Sequence, residues 1–423
     1  RLSLVGSEMC IRDSCRELSR MIQSQPSGGP ERPLPTIWLC GGGTGGHVYP
    51  ALATAAELIG ASKLTYIGST DGMEAGIVQR ESDLPFVGVP AAALRGRGPF
   101  GLVRNMLTLI KGTLAARQLI ARLRPAAILG TGGYVCVPVF IAAWMMRVPT
   151  VIYLPDVVPG LAVRFLAHLA KVLACSVEDS ALVLHHGSMK VTGYPVRPEL
   201  YTLDRAACRA AYGLSQDLPV LLVTGGSRGA RSINQAIAAL LPSLLPICQI
   251  IHICGREGDE QFLHAAARAL PEVLQSRYRL YPYLHNAHGM IEMKHAGSVG
   301  AATSMAQAFG AADLIVCRSG ASTLGELPAV GIPAILVPYP YVHQEENADY
   351  LVRHGAAQKI QDGEMLGDWQ PEQGALFRQL RHLIVESSER ASMAQRSHSL
   401  ARPDAARRLA DIVLALAVER RAA

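Results

Sequence analysis

A short apolar segment that runs straight into a glycine-rich loop, and from there into a helix-like stretch, occurs twice in this chain of 423 residues. In the first copy, Thr36–Cys40 is followed by GGGTGG at 41–46. In the second, Val220–Thr224 is followed by GGSRG at 225–229. A buried strand that enters a helix through glycines is the building unit of an open parallel sheet. The repeat predicts an α/β fold with two Rossmann-like parallel-sheet domains.

The alternation of strand-like and helix-like segments continues along the chain. Further strands are predicted at 63–67, 126–129, 150–153, 172–174, 249–254, 314–317 and 334–337. Helices are predicted directly after the two loops, at 47–59 and 230–241, and near the end of the chain at 401–418. The turn-rich stretch GYPVRP at 193–198 separates the two series, and we place the domain boundary there.

Three features limit the class of protein. Residues 1–34 fit no element of this fold, because 1–14 is similar to translated adapter sequence and 23–35 is polar, so we expect a disordered or artefactual tail. The uncharged run 126–146 is long enough to span a bilayer, but its glycines at 130–133 and its Pro138 predict strand, loop and helix instead. The nine cysteines form no C-x-x-C pair, which argues against a disulfide framework or a structural zinc site.

Glycine loops that precede helices expose backbone N–H groups at the positive end of a helix dipole, which suits anions. Three such loops occur, at 41–46, 130–133 and 225–229. Each alone is equally explained as a tight turn. Together, at the carboxyl ends of parallel strands, they predict diphosphate binding. The net charge of +6 also favours phosphates, nucleic acid or anionic lipid, without choosing among them.

The first loop also satisfies the G-x-G-x-x-G pattern of dinucleotide-binding proteins. A ribose of NAD would require an acid at the end of the second strand. That strand is followed by Gly68, Ser69 and Thr70, and Asp71 comes late, which counts against an oxidoreductase.

A second acid and a polar loop are better placed to bind a nucleotide sugar. Glu326 lies about one turn into a helix predicted after the strand Leu314–Cys317, where its carboxylate could accept both ribose hydroxyls. It is also explained as an acid that the helix dipole favours. His343, Gln344 and Asn347 could bind sugar hydroxyls or could be ordinary polar residues of a loop.

Seven ordered segments resemble the MurG-type N-acetylglucosaminyltransferases of peptidoglycan synthesis. They are GGGTGGHVYPALA at 41–53, LRGRG at 94–98, GTGGYVCVP at 130–138, GYPVR at 193–197, GGSRGARSIN at 225–234, CRSGASTLGEL at 317–327 and PAILVPYP at 333–340. The resemblance covers roughly 35–417 and implies two Rossmann-like domains that face each other across a cleft, the GT-B type. It implies an N-terminal acceptor and membrane domain (35–196 plus 402–423) and a C-terminal UDP-sugar donor domain (197–401).

The family implies inverting transfer of N-acetylglucosamine from UDP-N-acetylglucosamine to undecaprenyl-pyrophosphate-linked muramyl-pentapeptide, which converts lipid I to lipid II. By position, the resemblance implies donor contacts from Arg197, Ser227, Arg228, Gly229, Met305, Ala321, Ser322, Thr323, Glu326, His343, Gln344 and Asn347. It implies acceptor-pyrophosphate contacts from Thr44, Gly45, Gly46, Gly132, Gly133 and Tyr134. We expect a peripheral protein at the cytoplasmic face of the cell membrane, with no nucleic-acid partner.

Inverting transfer requires a base that takes the proton of the acceptor hydroxyl. His47 lies at the mouth of the first loop and suits that role, or it caps the helix or binds phosphate. Asp156 is an alternative base, since residues 153–156 read YLPD where the family has His-Glu-Gln-Asn. No D-x-D motif is present, so no metal site and no cofactor are expected.

A basic, apolar segment at 94–112 predicts contact with anionic lipid. A buried helix with a charged rim explains the same pattern. The residues that we assign to the membrane are Arg95, Arg97, Phe100, Leu102, Arg104 and Met106.

Further departures from the family affect the donor site. Tyr194 replaces an Asn and Arg228 replaces a Gln, an added cation that suits phosphate. About 18 residues near 286–304 are inserted where the family contacts uracil, which leaves base recognition open. The competing functions are a UDP-sugar transferase for another lipid such as diacylglycerol, an NAD-dependent oxidoreductase, and a nucleotide-binding protein without turnover.

Overall fold

Two parallel β-sheets form the framework of the protein, whose computed structural model describes residues 33–92, 99–284, 303–340, 342 and 344–422. The first sheet has the strand order β3-β2-β1-β4-β5-β6-β7. Its strands are β1 (Thr36–Cys40), β2 (Lys63–Ser69), β3 (Phe86–Val89), β4 (Ala127–Gly130), β5 (Thr150–Leu154), β6 (Val172–Cys175) and β7 (Met189–Val191). The second sheet has the order β10-β9-β8-β11-β12-β13. Its strands are β8 (Val220–Thr224), β9 (Gln249–Ile253), β10 (Tyr278–Tyr281), β11 (Leu314–Cys317), β12 (Ala334–Leu336) and β13 (Ala357–Lys359).

Helices connect the parallel strands and cover both faces of each sheet. In the described first half they are α1 (Gly45–Leu58), α2 (Glu74–Glu81), α3 (Pro99–Leu123), α4 (Cys136–Met145), α5 (Leu161–Ala167) and α6 (Ser180–Val183). Those that follow are α7 (Arg205–Ala211), α8 (Arg231–Leu244), α9 (Glu260–Arg268), α10 (Glu272–Gln275), α11 (Met305–Ala311), α12 (Thr323–Val330), α13 (Gln344–Arg353), α14 (Ala375–Val385), α15 (Ser387–Ser399) and α16 (Ala405–Ala422).

The central strands are buried on both faces, which explains their continuous apolar sequences. All side chains of β4, β5 and β8 are buried, for example. The last helix, α16, packs on the first sheet, where its Leu409 and Val413 share a core with Ile37 and Leu39 of β1. The chain therefore returns from the second sheet to complete the core of the first.

The fold class predicted from the two glycine loops is confirmed. All nine predicted strands are present within two residues of their predicted bounds. The uncharged run at 126–146 forms β4, a loop and α4, as predicted. Among the described residues, no helix combines the length and the apolar character needed to cross a bilayer. The predicted tail at 1–34 lies outside the described residues, apart from Pro33 and Leu34.

Candidate active site

The first two glycine loops lie side by side because β1 and β4 are neighbours in the sheet. Gly42 donates its backbone N–H to the carbonyl of Gly132 at 3.4 Å. A Cβ on Gly133 would lie 2.2 Å from the carbonyl oxygen of Gly42, and Gly133 has a φ of +86°. Only glycine allows this backbone conformation together with such close approach. The glycines predicted to hold the acceptor thus form one surface.

His47 is held at the edge of this surface by the second loop. Its Nδ1 lies 2.7 Å from the carbonyl oxygen of Thr131, and the Thr131 hydroxyl donates to the His47 carbonyl at 2.5 Å. A carbonyl can only accept, so Nδ1 carries the proton and the neutral ring has its lone pair on Nε2. Among the described residues, Nε2 has no hydrogen-bond partner. The ring is therefore set to accept a proton at Nε2.

The N-terminus of α1 lies within the first glycine loop. The helix begins at Gly45, two residues earlier than predicted, and in the described structure the Thr44 side chain forms no capping hydrogen bond with it. The first N–H groups of a helix have no partner within the helix, so they suit an anion. Thr44, Gly45 and Gly46 are thus in a position to bind a phosphate group.

The third glycine loop, between β8 and α8, packs against the loop that follows β9. Gly229 (φ +89°) and Gly255 (φ +90°) meet there, and a Cβ on Gly229 would lie 2.1 Å from the carbonyl oxygen of Cys254. Ser227 is exposed. Arg228, the added cation, is also exposed and donates to Glu257 at 2.5 Å. The loop is fixed by glycine contacts, and its polar residues face outward.

Four of the predicted donor residues line one cavity: Arg197, Ser227, Met305 and Glu326. The same cavity is lined by residues that sequence reasoning missed, namely Tyr49 of α1 and Tyr283 and Leu284 after β10. Tyr49 belongs to the first sheet's layer, so both halves of the chain contribute to this cavity. Tyr49 lies two residues after His47, and no feature of the sequence there predicts that its side chain lines the cavity.

Glu326 is the fourth residue of α12 and is half-buried. Burial raises the pKa of this carboxyl above its ordinary value, while the Ser322 hydroxyl and the Arg197 cation oppose the shift. Arg197 also forms an ion pair with Glu199 at 2.7 Å. Burial therefore makes the ionised form of Glu326 less favourable than it is in water. Carboxyl groups with a pKa shifted in this way are common at binding sites.

We expect Glu326→Gln to stabilise the fold while weakening donor binding. A raised pKa means that ionised Glu326 disfavours folding at pH 8, and this penalty disappears as the pH falls through that pKa and the group binds a proton. The midpoint of thermal unfolding should thus exceed that of the unchanged protein at pH 8, and the difference should shrink toward pH 5. The KM for the UDP-sugar should rise about tenfold or more through loss of a charged acceptor. Glu199→Gln, which removes the other acid beside Arg197, should change that KM little.

The turn that precedes α12 and the start of α13 lie together. Ser319 donates its hydroxyl to the carbonyl of Gln344 at 2.7 Å, and the Gln344 Oε1 accepts from the N–H of Tyr339 at 2.9 Å. The Thr323 hydroxyl is used within the turn, where it donates to Gly320 at 2.6 Å. Gln344 thus presents its amide Nε2 toward Gly320, where a sugar hydroxyl could accept from it.

Asn347 is fully buried and joins the two halves of the chain. Its Nδ2 donates to Asp156 Oδ1 at 2.8 Å and to the Ser319 carbonyl at 3.1 Å, while its Oδ1 accepts from the N–H of Val157 at 2.9 Å. These contacts use both amide protons. In this structure the Asn347 side chain therefore lies behind the site and holds neighbouring residues in place. The sequence had suggested a direct contact with the donor instead.

The loops of the two halves meet at the centre of the cleft. A Cβ on Gly46 would lie 4.0 Å from the Cβ of Ala321, and the Tyr194 hydroxyl donates to the Gly46 carbonyl at 3.2 Å. Tyr194, the replacement for an Asn, is buried, and a Cβ on Gly325 of α12 would lie 2.8 Å from the Tyr194 Cβ, so this side chain contacts both halves. The proposed acceptor and donor loops are adjacent.

Several predicted residues lie elsewhere or outside the described chain. Arg95, Arg97 and His343, the side chain of Phe100 and most of the 286–304 segment lie outside it. Ser304 is described and caps α11 through its hydroxyl. Within the described ranges, no three His, Cys, Asp or Glu side chains are grouped as a metal site would require.

Models of two domains match the chain: the glycosyltransferase family 28 N-terminal domain over 37–174 and the C-terminal domain over 220–409. A UDP-N-acetylglucosamine--N-acetylmuramyl-(pentapeptide) pyrophosphoryl-undecaprenol N-acetylglucosamine transferase of Roseiflexus sp. (strain RS-1) is 55% identical over 95% of this chain and 99% of its own. The protein of the same name from Bacillus subtilis (strain 168) is 33% identical over 89% and 98%. The crystal structure of Acinetobacter baumannii MurG matches with a TM-score of 0.67 and 26% identity, covering 90% of this chain and 99% of that one.

Proposed function

The chain belongs to glycosyltransferase family 28, and on that basis we propose that it transfers N-acetylglucosamine from UDP-N-acetylglucosamine to a muramyl-pentapeptide linked to pyrophosphoryl-undecaprenol. This reaction is a step of peptidoglycan synthesis. Membership of this family leaves no basis for the oxidoreductase alternative.

The observation that carries the proposal is that two surfaces suited to anions meet across one cleft. One is the cavity lined by Ser227 and Glu326, beside the N-terminus of α8, which suits a nucleoside diphosphate. The other is the open N-terminus of α1 between the first two glycine loops, which suits the acceptor pyrophosphate. His47 lies on the acceptor side, close to where Gly46 and Ala321 approach each other.

In the proposed reaction, His47 Nε2 accepts the proton of the acceptor sugar's hydroxyl as its oxygen forms a bond to C1 of N-acetylglucosamine. The bond from C1 to the donor diphosphate breaks, and its electron pair remains on the diphosphate oxygen. The N–H groups at the start of α8 stabilise this developing charge. The proton then passes from the imidazolium to solvent, and the sugar is transferred with inversion.

Asp156 is better suited to a structural role than to catalysis, because one of its carboxylate oxygens accepts a hydrogen bond from Asn347. Asp156→Asn retains an oxygen that can accept this bond, so we expect its kcat to remain within about fivefold of the unchanged protein, since a neutral replacement of a hydrogen-bond acceptor typically costs about 1 kcal/mol or less. A fall as large as that expected for removal of a general base, about a hundredfold or more, would identify Asp156 as the base instead. The measurement is steady-state transfer with both substrates varied.

The exposed apolar side chains of α3 support our proposal that the protein is peripheral to an anionic membrane. On α3, Val103 and Leu107 are 61% and 54% exposed, while the polar Asn105 between them is only 4% exposed. A helix that turns its apolar side outward is typical of a surface that meets lipid. Arg104 and Lys111 are exposed on the same helix and would meet anionic headgroups.

Replacing Val103, Leu107 and Ile110 together by Ser should reduce binding to phosphatidylglycerol vesicles about tenfold or more, because each side chain contributes apolar transfer energy. Vesicle sedimentation at fixed protein concentration measures this. Trp369→Ser removes a side chain that is 93% exposed but belongs to the second half of the chain, so it should leave sedimentation unchanged. Equal loss in both variants would show that α3 is not the membrane surface.

The direct test of the function is transfer of radiolabelled N-acetylglucosamine from its UDP donor to a short-chain analogue of the lipid-linked muramyl-pentapeptide. We expect product with this acceptor and none with diacylglycerol, and we expect EDTA to leave the rate unchanged. If product formed only with diacylglycerol as the acceptor, our acceptor assignment would be wrong. Failure to bind UDP would contradict the donor assignment itself.

A further inference from the structure

A buried acid lies directly behind the acceptor loops. Glu74, the first residue of α2, has no exposed surface. Its Oε1 accepts from the backbone N–H of Ser69 at 2.6 Å and from the Ser69 hydroxyl at 2.5 Å. Its Oε2 accepts from the N–H of Gly43 at 3.4 Å. Among the described residues it forms no ion pair, which is unusual for a buried carboxylate.

The surroundings of Glu74 are shaped to hold its side chain. A Cβ on Gly42 would lie 2.6 Å from the Glu74 Cδ, and one on Gly72 would lie 2.3 Å from its Oε1. A Cβ on Gly68 would lie 2.8 Å from its Cγ. Glycine at these three positions leaves the space that the carboxylate occupies. The acid is therefore part of the architecture of the first loop and of the end of β2.

The same acid is connected to the second glycine loop. The Ser69 oxygen lies 3.5 Å from the Tyr134 hydroxyl. Because Ser69 gives its only hydroxyl proton to Glu74, Tyr134 must be the donor in this contact. A continuous path thus runs from Tyr134 through Ser69 to Glu74 and on to Gly43. It joins the two loops that carry the proposed acceptor residues.

We propose that Glu74 is a positioning residue for the acceptor pyrophosphate. It fixes Gly43 and Tyr134 relative to each other and thereby sets the direction of the open N–H groups at the start of α1. The role rests on the proposed function of these loops as the acceptor site. Glu74 itself has no exposed surface and acts only through the loops.

Glu74→Gln tests the positioning role by replacing the carboxylate with an amide of nearly the same shape. The amide oxygen can still accept both bonds from Ser69, but the amide nitrogen then faces the Gly43 N–H, so two donors oppose each other. We expect the KM for the lipid acceptor to rise about tenfold, the cost of leaving a buried donor without an acceptor. The KM for UDP-N-acetylglucosamine should stay within about twofold, because the donor cavity lies across the cleft from Glu74. Glu57→Gln, an exposed acid on α1, is the matched control and should alter neither constant.

A second set of variants separates positioning from a general effect on folding. Ser69→Ala and Glu74→Gln each cut the same path, so the double variant should raise the acceptor KM no more than the larger single effect. Additive effects, an unchanged acceptor KM in Glu74→Gln, or an equal rise in both KM values would overturn the proposal.

Binding of the short-chain acceptor without donor provides a measurement that does not depend on turnover. If the unchanged protein binds the acceptor but transfers nothing, the proposed function fails, while weaker binding by Glu74→Gln still supports the positioning role. If transfer is normal and Glu74→Gln binds the acceptor as well as the unchanged protein, the positioning role alone fails.

Discussion

His47→Ala should lower kcat by a factor of about 10² to 10⁴, the usual contribution of a positioned general base. The reason is geometric, since the Nδ1 contact with Thr131 leaves the Nε2 lone pair available to accept a proton. Binding of UDP should be unchanged, because the donor cavity is lined by other side chains. Single-turnover transfer and calorimetric titration with UDP measure the two quantities separately.

The control for this variant is another histidine with the same local bond. His168 also has its Nδ1 near a backbone carbonyl, that of Arg164 at 2.8 Å, but it is exposed and lies at the C-terminus of α5, outside the three glycine loops. His168→Ala should retain full turnover. Near-normal turnover in His47→Ala would exclude the base role, and loss of UDP binding would show that His47 organises the cleft as a whole.

Gly229→Ala should damage both the fold and the donor site. At φ +89° an L-residue costs about 1–2 kcal/mol. The added Cβ would also lie 2.1 Å from the Cys254 carbonyl, and such overpacking typically adds about 1–3 kcal/mol. Because Gly229 lies directly before α8, whose N-terminus is the proposed diphosphate site, we expect kcat/KM for the UDP-sugar to fall about a hundredfold.

Gly258→Ala separates the two causes. Gly258 has a φ of +92°, but nothing lies within 4 Å of its Cβ position. This variant should therefore show only the backbone cost of about 1–2 kcal/mol. Urea unfolding of both proteins gives the free energies of unfolding, and transfer at low donor concentration gives kcat/KM. Equal losses in the two variants would mean that the contact with Cys254 is unimportant.

The parts of the fold that could be predicted are the ones buried on both faces. Strands such as Val220–Thr224 are continuous apolar runs, and a glycine loop marks where each of the two leading strands ends. The four strands missed by sequence reasoning, β3, β7, β10 and β13, are the edges of the two sheets. Edge strands are short and meet a neighbour on one side only, so segments such as Met189–Val191 and Ala357–Lys359 carry little apolar signal.

The candidate site shows a similar division. Residues that follow strands at the cleft, such as Ser227 and Glu326, could be placed because parallel strands end at a common edge. Thr131, which orients His47, and Glu74, behind the first loop, act through backbone contacts between distant segments. No local pattern encodes such contacts. The pairing of Asp156 with Asn347 likewise joins residues 191 positions apart.

The return of α16 to the first sheet has a consequence for protein engineering. Leu409 and Val413 complete the core beneath β1, and Lys171 pairs with Glu419 at 2.7 Å, so the last helix packs with the first sheet. If the second sheet and its helices are exchanged between two relatives, the chain must therefore be spliced at two junctions, one near Arg197 and one near Arg402. A chimera joined only at the first junction would carry a foreign closing helix against its own first sheet.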